Sequence, residues 1–182
     1  MIYLYKNLEQ KGYSDYQIKK MVESEQLYMV DKGVYSDKKV YDPLEVITKK
    51  HPNVIVTLET ACYCYKLLSH PSDTYYVATK QKDRKILNPH VKQIYMTDTL
   101  YPIGKSTVTY QSYPIHIYDL ERLLIEVVRN KTNIDYEVYH EIIRSYQKLN
   151  RLLNMEKLKS YIGYFKDEKI WMRIEKEVFQ NI

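Results

Sequence analysis

The sequence of 182 residues contains little glycine and little cysteine, and each shortage narrows the range of functions. Four glycines are present, with no GxGxxG turn and no Walker A sequence to hold a nucleotide phosphate. The two cysteines are Cys62 and Cys64. Without a second ligand pair nearby they predict reduced thiols rather than a zinc site. We therefore expect no metal and no cofactor.

Long hydrophobic runs are also missing, as is a signal peptide, which predicts a cytoplasmic protein with no membrane partner. The five histidines are scattered along the chain, and no serine or cysteine has an evident base partner. Covalent catalysis therefore finds no support in the sequence, and we expect a protein that is not an enzyme.

Positive charge is present but unevenly distributed. The formal net charge is +5, yet residues 1–50 nearly balance, with nine lysines and eight acids. Residues 80–105 carry six cations against two acids. A mild basic excess is compatible with nucleic-acid binding. The candidate phosphate contacts in this stretch are Lys80, Lys82, Arg84 and Lys85.

Residues 1–40 predict a small winged helix-turn-helix domain. An amphipathic helix over residues 2–10 is followed by Gly12, and Ser14 is a good N-cap for a second helix. Residues 27–35 predict a hairpin around an Asp-Lys-Gly turn. The second helix would enter the major groove, where glutamine binds adenine and lysine binds guanine or phosphate. The candidate DNA-binding residues are Ser14, Gln17, Lys19, Lys20 and Lys32. A small helical domain without a DNA-binding role remains the alternative.

The rest of the chain, residues 41–182, predicts one α+β domain. Short β-branched and aromatic segments predict a mixed sheet over residues 44–118, with a hairpin across Gln111-Ser112. A helical bundle is expected over residues 119–182. Its helices begin at three predicted caps: Asp119, Asp135 and Asn154.

The most informative segment covers residues 118–129. Its aliphatic residues recur at helical spacing, Asp119 can cap the helix, and Glu121 lies in the first turn, where an acid is favourable. Three further charged residues recur every three or four positions, so that their side chains can meet: Arg122, Glu126 and Arg129. A capped amphipathic helix with surface ion pairs explains the same pattern.

In the order of these elements the chain resembles the AbiEi family of antitoxins, from type IV toxin–antitoxin and abortive-infection systems. Residues 27–35, ending Lys-Gly-Val-Tyr, are similar to the family's wing. Residues 54–78 and the basic stretch after them are similar to its strand, its helix with an acid and an alanine, and its next strand. Residues 118–129 are similar to its Tyr-Asp-x-Glu-Arg-Thr-Leu-x-Asp-x-x-Arg motif. Leu123 replaces the usual threonine, Glu126 the usual aspartate, and one helix fewer precedes the wing.

The resemblance implies an antitoxin that suppresses a cognate nucleotidyltransferase-like toxin without forming a stable complex. It also implies repression of the protein's own operon through inverted repeats upstream, so the expected partners are operator DNA and the toxin. The antitoxin-domain residues carried over by the motif are Asp119, Glu121, Arg122 and Arg129. Their role is either functional or architectural.

Two other functions stay open. Asp73 is followed about ten residues later by Asp83-Arg84-Lys85, a pattern that can hold a divalent cation in nucleases, with Glu59 as a third ligand. The same residues also fit a solvated basic loop. A non-DNA-binding protein-interaction module would instead use an exposed aromatic patch in the bundle: Tyr161, Tyr164, Phe165 and Trp171.

Overall fold

The computed structural model describes residues 1–167 and 169–180, and the chain divides into two compact units. Unit 1 covers Met1–Asn53, and unit 2 begins at Val54. Each unit contains helices and its own β-sheet, and the chain ends in helices, which confirms the α+β class. Residues 168, 181 and 182 of the predicted bundle lie outside the described residues.

Unit 1 is a three-stranded antiparallel sheet with three helices. The sheet order is β1-β3-β2, and α1 and α2 lie between β1 and β2 in sequence. Leu8, Ile18 and Leu27 form a buried cluster that holds α1 and α2 together. The elements are β1 (Ile2–Leu4), α1 (Tyr5–Gln10), α2 (Asp15–Glu23), β2 (Tyr28–Asp31), β3 (Val34–Ser36) and α3 (Pro43–Lys50).

The predicted helix over residues 2–10 is wrong at its start, because its first residues form β1. Ile2 pairs with Ser36 and Leu4 with Val34 across β3. Ile2 and Val34 are then buried together with Val46 of α3. Pairing with a distant strand therefore overrides the helical spacing of the local sequence.

The division between the units lies at Asn53, whereas the sequence placed it after residue 40. The reason is α3, which packs against β1. The backbone N–H of Ile2 donates to Glu45 at 3.1 Å, and the Lys49 ammonium donates to the carbonyl of Ile2 at 3.0 Å. These bonds and the burial of Val46 attach α3 to the first unit.

Unit 2 is built on a five-stranded mixed sheet of order β6-β5-β4-β8-β7. β4 pairs parallel with β8 through Val56 and Ile117, and β5 pairs parallel with β6, whereas the other pairs are antiparallel. The predicted hairpin is present, with Gln111 and Ser112 at positive φ in its turn. The elements are β4 (Ile55–Val56), α4 (Leu58–Cys64), β5 (Tyr75–Lys80), β6 (Val91–Met96), β7 (Lys105–Tyr110) and β8 (Tyr113–Tyr118).

The helices after the sheet begin at the predicted caps. Asp119 accepts the N–H of Arg122 at 2.9 Å, Asp135 accepts two first-turn amides, and Asn154 accepts the N–H of Lys157. No helix among residues 1–167 and 169–180 has the length and apolar content needed to cross a bilayer. The helices are α5 (Leu120–Arg129), α6 (Tyr136–Leu149), α7 (Met155–Ile162) and α8 (Lys169–Ile174), which continues as a π-helical segment, Glu175–Phe179.

Candidate functional site

The outer face of α2 carries the candidate DNA-binding side chains. Ile18 is buried and fixes which side of the helix faces inward. Tyr16 is 69% exposed, and the Lys20 ammonium lies 5.5 Å from the centre of its ring. Lys19 is also exposed and lies 4.0 Å from Glu23 one turn later. Two lysines and a tyrosine therefore project from one solvent-facing surface.

Ser14 and Gln17 serve the start of α2 rather than projecting from it. The N–H of Gln17 donates to the Ser14 hydroxyl, and the N–H of Ser14 donates to the side-chain carbonyl of Gln17 at 2.8 Å. This reciprocal pair is a capping box, which satisfies two backbone donors at once. The side chain of Gln17 is thus folded back onto the helix start.

The hairpin loop places Lys32 in solvent. Gly33 adopts a φ of +71° in the turn, and the carbonyl of Gly33 accepts the N–H of Tyr5 at 2.8 Å. Lys32 donates its own N–H to the Asp31 carboxylate. The same carboxylate pairs with the Lys50 ammonium, and this hydrogen bond lowers the pKa of Asp31. The hairpin is therefore anchored at its base while Lys32 remains exposed.

The basic stretch of unit 2 is the loop between β5 and β6. Lys82, Arg84 and Lys85 are exposed there and have no ion-pair partner among the described residues. Lys80 differs, because its ammonium lies 3.9 Å from Asp98 and 5.6 Å from the centre of the Tyr101 ring. The loop itself is held by Gln93, whose side-chain amide binds the N–H of Ile86 and the carbonyl of Arg84.

Arg122 of the 118–129 motif is fully buried. Two nitrogens of its guanidinium meet a single oxygen of Glu126, Oε1, at 3.0 Å from Nε and 2.8 Å from Nη2. Nη1 donates to the carbonyls of Leu100 and Ile103 at 3.0 and 3.4 Å. The guanidinium is sandwiched between the rings of Tyr118 and Phe165, whose centres lie 4.6 and 4.7 Å away. Every side of this charge is occupied by the protein itself.

The turn before β7 comes close enough to Arg122 to require glycine. Gly104 has a φ of +73°, and a Cβ atom there would lie 2.3 Å from the Cβ of Arg122. The carbonyl of Gly104 accepts the N–H of Asp119 at 2.8 Å. Gly104 was not identified from the sequence as a structural residue. The small number of glycines in this chain could have indicated that each one is held by a local constraint.

Asp119 and Glu121 bind α7 to the start of α5. Asp119 accepts hydrogen bonds from the Tyr161 hydroxyl and the Lys157 ammonium, both at 3.0 Å. Glu121 accepts the N–H of Asn154 at 2.9 Å and lies 3.4 Å from Lys157. Burial opposes the charge of Lys157, but the bond to Asp119 and the two carboxylates outweigh it and raise the pKa of Lys157.

Arg129 is the motif member that reaches solvent. Its side chain is 34% exposed, lies 3.5 Å from Glu126, and stacks on the Phe165 ring at 4.5 Å. Glu126 stands where the family motif usually has aspartate. It is 1% exposed and binds both arginines. The four carried-over residues and Glu126 thus come together around α5, mostly beneath the surface.

The acids of the nuclease alternative do not come together. Glu59 and Asp73 line one cleft of about 920 Å³ in unit 2, together with His70 and Glu141. Asp83 lies elsewhere, and its carboxylate accepts the N–H of Lys80 at 2.9 Å. Across residues 1–167 and 169–180, no group of three His, Cys, Asp or Glu side chains could hold a metal ion. The nuclease hypothesis gains no support from this arrangement.

The four aromatic residues of the interaction-module alternative do not form one exposed patch. Tyr164 is 50% exposed, but Phe165 is buried against the arginines. Tyr161 is partly buried and donates to Asp119. Trp171 is also partly buried and stacks on Phe179 at 6.4 Å. Three of the four side chains therefore hold unit 2 together.

Comparison with known proteins identifies a fold but no family. No family model matches the sequence, and a search of curated proteins finds no match. A similar solved structure is that of the RV2827C protein from Mycobacterium tuberculosis, with a TM-score of 0.69 and 12% sequence identity. The similarity covers 98% of this chain and 71% of that one. The chain therefore has a fold resembling that of the RV2827C protein.

Proposed function

We propose that the protein is a DNA-binding antitoxin that represses its own operon at upstream inverted repeats and suppresses a cognate nucleotidyltransferase-like toxin. The observation that carries DNA binding is the arrangement of unit 1, a helix-turn-helix between β1 and the β2–β3 hairpin, with sheet order β1-β3-β2. This is the order of elements in a winged helix-turn-helix, whose second helix enters the major groove. The proposed recognition helix is α2.

The contacts within α2 refine which residues meet DNA. Lys19 and Lys20 are exposed beside Tyr16, and we assign them to phosphate and base-edge contacts. Ser14 and Gln17 form the capping box, so their role is to fix the first turn of the helix. Lys32 in the hairpin loop supplies a further phosphate contact.

Exposed cations in unit 2 supply additional phosphate contacts. Lys82, Arg84 and Lys85 project from the β5–β6 loop without acidic partners in the described chain, which leaves their charge available to a polyanion. Lys80 is less available because Asp98 and Tyr101 engage it. Each phosphate contact releases counterions, so binding should weaken steeply with salt.

The antitoxin role is supported by the resemblance of residues 118–129. Arg122 cannot touch a partner, because it is fully buried among Glu126, Tyr118 and Phe165. Its role is to build unit 2. Contact with a partner would therefore fall to the exposed parts of Arg129 and Lys157.

The test is a titration of the full chain on labelled DNA from upstream of its gene, against a scrambled duplex, over a series of salt concentrations. We expect specific binding, and the Lys19→Ala/Lys20→Ala variant should lower the slope of log K against log salt by about two. The Lys38→Ala/Lys39→Ala variant is the matched control, since it removes two exposed charges of unit 1 outside α2. Equal binding to both duplexes would contradict the proposal.

Toxin suppression is tested separately, by co-expression with the cognate toxin and measurement of growth. We expect Lys19→Ala/Lys20→Ala to weaken operator binding and keep suppression. Loss of both activities in this variant would contradict the assignment of the two roles to two units.

A further inference from the structure

The free edge of the sheet in unit 2 at β7 differs from the other sheet edges. An exposed edge strand offers unpaired N–H and C=O groups to another strand, and proteins protect such edges with charge, proline, bulges or short length. β1 has three residues, β2 contains a register irregularity between Met29 and Asp31, and β6 carries Lys92 and the basic loop before it. These three edges are protected.

β7 has none of these protections after its first residue. It runs for six residues, Lys-Ser-Thr-Val-Thr-Tyr, and pairs with β8 in unbroken register from Lys105↔Tyr118 to Tyr110↔Tyr113. Lys105 supplies its charge, and Thr107 and Thr109 are exposed. The strand is therefore long, regular and neutral over most of its length.

The hairpin geometry shows which backbone groups face the free edge. Tyr110 and Tyr113 close a two-residue turn with positive φ at both central residues, so they form a hydrogen-bonded pair. Hydrogen-bonded pairs alternate along an antiparallel ladder. The N–H and C=O groups of Thr107 and Thr109 consequently point away from β8. Pro114 agrees with this pattern, because it lies opposite Thr109, where no N–H is needed.

We propose that β7 pairs antiparallel with β7 of a second copy of this chain, across a two-fold axis at Val108. Thr107 of each copy then lies opposite Thr109 of the other, and each such pair exchanges both backbone hydrogen bonds. The two sheets of unit 2 become one continuous sheet.

The occupant is a second copy because the strand is complementary to itself. In this register Lys105 lies opposite Gln111 of the other copy, so no like charges meet, and Val108 packs against Val108. A two-fold pairing is also closed, which matches the commonest symmetry of homo-oligomers. Such a dimer contains two copies of α2, one for each half of an inverted repeat, and this last argument alone rests on the proposed function.

The experiment measures the mass of the full-length protein by sedimentation over concentrations up to the millimolar range. Wild type should form a dimer. The variants Thr107→Lys/Thr109→Lys and Thr107→Glu/Thr109→Glu each place like charges opposite one another, which should raise the dimer dissociation constant about tenfold or more. Mixed in equal amounts, the two variants should associate again through Lys–Glu pairs.

The mixing step separates an interface effect from misfolding, since a misfolded chain would not be rescued by its oppositely charged counterpart. A wild type that stays monomeric overturns the proposal and leaves the edge to a strand of another protein. A dimer that survives in both charged variants also overturns it. Specific operator binding by a monomer would overturn the dimer while leaving the proposed function standing.

Discussion

The charged side chains of α2 and of α5 have opposite environments. On α2, Lys19 and Glu23 lie 4.0 Å apart with most of both side chains in solvent. On α5, Arg122 and Glu126 have the same four-residue spacing but are 0% and 1% exposed. The first pair contributes little to stability and leaves its lysine free to meet a ligand. The second has no exposed surface, so its partners are all internal.

The difference shows that spacing alone does not reveal the role of an ion pair. Both pairs fit a solvated helix face equally well in sequence. What distinguishes them is the rest of the fold: the carbonyls of Leu100 and Ile103 and the ring of Phe165 enclose one pair and not the other. The residues of the 118–129 motif can therefore match those of a family and still have a structural role rather than bind a partner.

The largest expected effect comes from emptying the buried position. Arg122→Ala removes the closer of the two arginines that bind Glu126 and the donor to two carbonyls, and breaking a buried ion pair in this way should cost about 3–5 kcal/mol of unfolding free energy. The matched control is Arg129→Ala, which removes the other arginine on Glu126 at a partly exposed position and should cost no more than about 1 kcal/mol. Chemical denaturation followed by Trp171 fluorescence reports on unit 2. Equal losses of unfolding free energy in both variants would contradict the predicted difference between the buried and the partly exposed arginine.

A second comparison uses the two glycines at similar φ in the two units. Gly104→Ala places a Cβ 2.3 Å from the Arg122 side chain and should cost about 3 kcal/mol through overpacking and backbone strain. Gly12→Ala, at φ +89° with no atom within 4 Å, carries backbone strain alone and should cost about 1 kcal/mol. Thermal unfolding of both variants measures the difference. If Gly12→Ala lowers the melting temperature more than Gly104→Ala does, the short distance between Gly104 and Arg122 is not the reason for glycine at position 104.

The smallest expected effect lies in unit 1, at a partly buried histidine. Burial and the charge of Lys50 lower the pKa of His51 from 6.5. Since the folded pKa lies below the unfolded one, this group contributes stability above pH 6.5, and the contribution is lost as the pH falls from there through the folded pKa. We expect the protection factors of β3 amides, which correct hydrogen exchange for its intrinsic pH dependence, to fall between about pH 7 and pH 5, and to do so less in His51→Gln. An equal fall in both proteins would assign the effect to another group.

Local features were predictable from the sequence, whereas features that join distant segments were not. Ser14, Asp119, Asp135 and Asn154 cap their helices as predicted, because a cap is decided within four residues. β1 was missed since its pairing depends on Val34, thirty residues away. For the same reason α3 was not expected in the first unit.

The candidate site follows the same rule. The exposed lysines of α2 and of the β5–β6 loop could be predicted from charge and periodicity, because the exposure of a side chain does not depend on contacts with distant residues. The meeting of Arg122, Glu126 and Arg129 was also predicted, since residues three and four apart on a helix are neighbours. Their burial was not, because Gly104 and Phe165 lie far away in sequence.

The parallel pairing of β4 with β8 has a consequence for the time at which each unit can form. The central pairing of the larger sheet joins Val56 to Ile117, so it cannot form until about sixty further residues have been synthesised. The first unit, by contrast, ends at Asn53, and its strands pair only with one another. During synthesis unit 1 can thus form its internal contacts while the strands that flank β4 are still being made. Unit 1 can therefore be complete before the sheet of unit 2 has all of its strands.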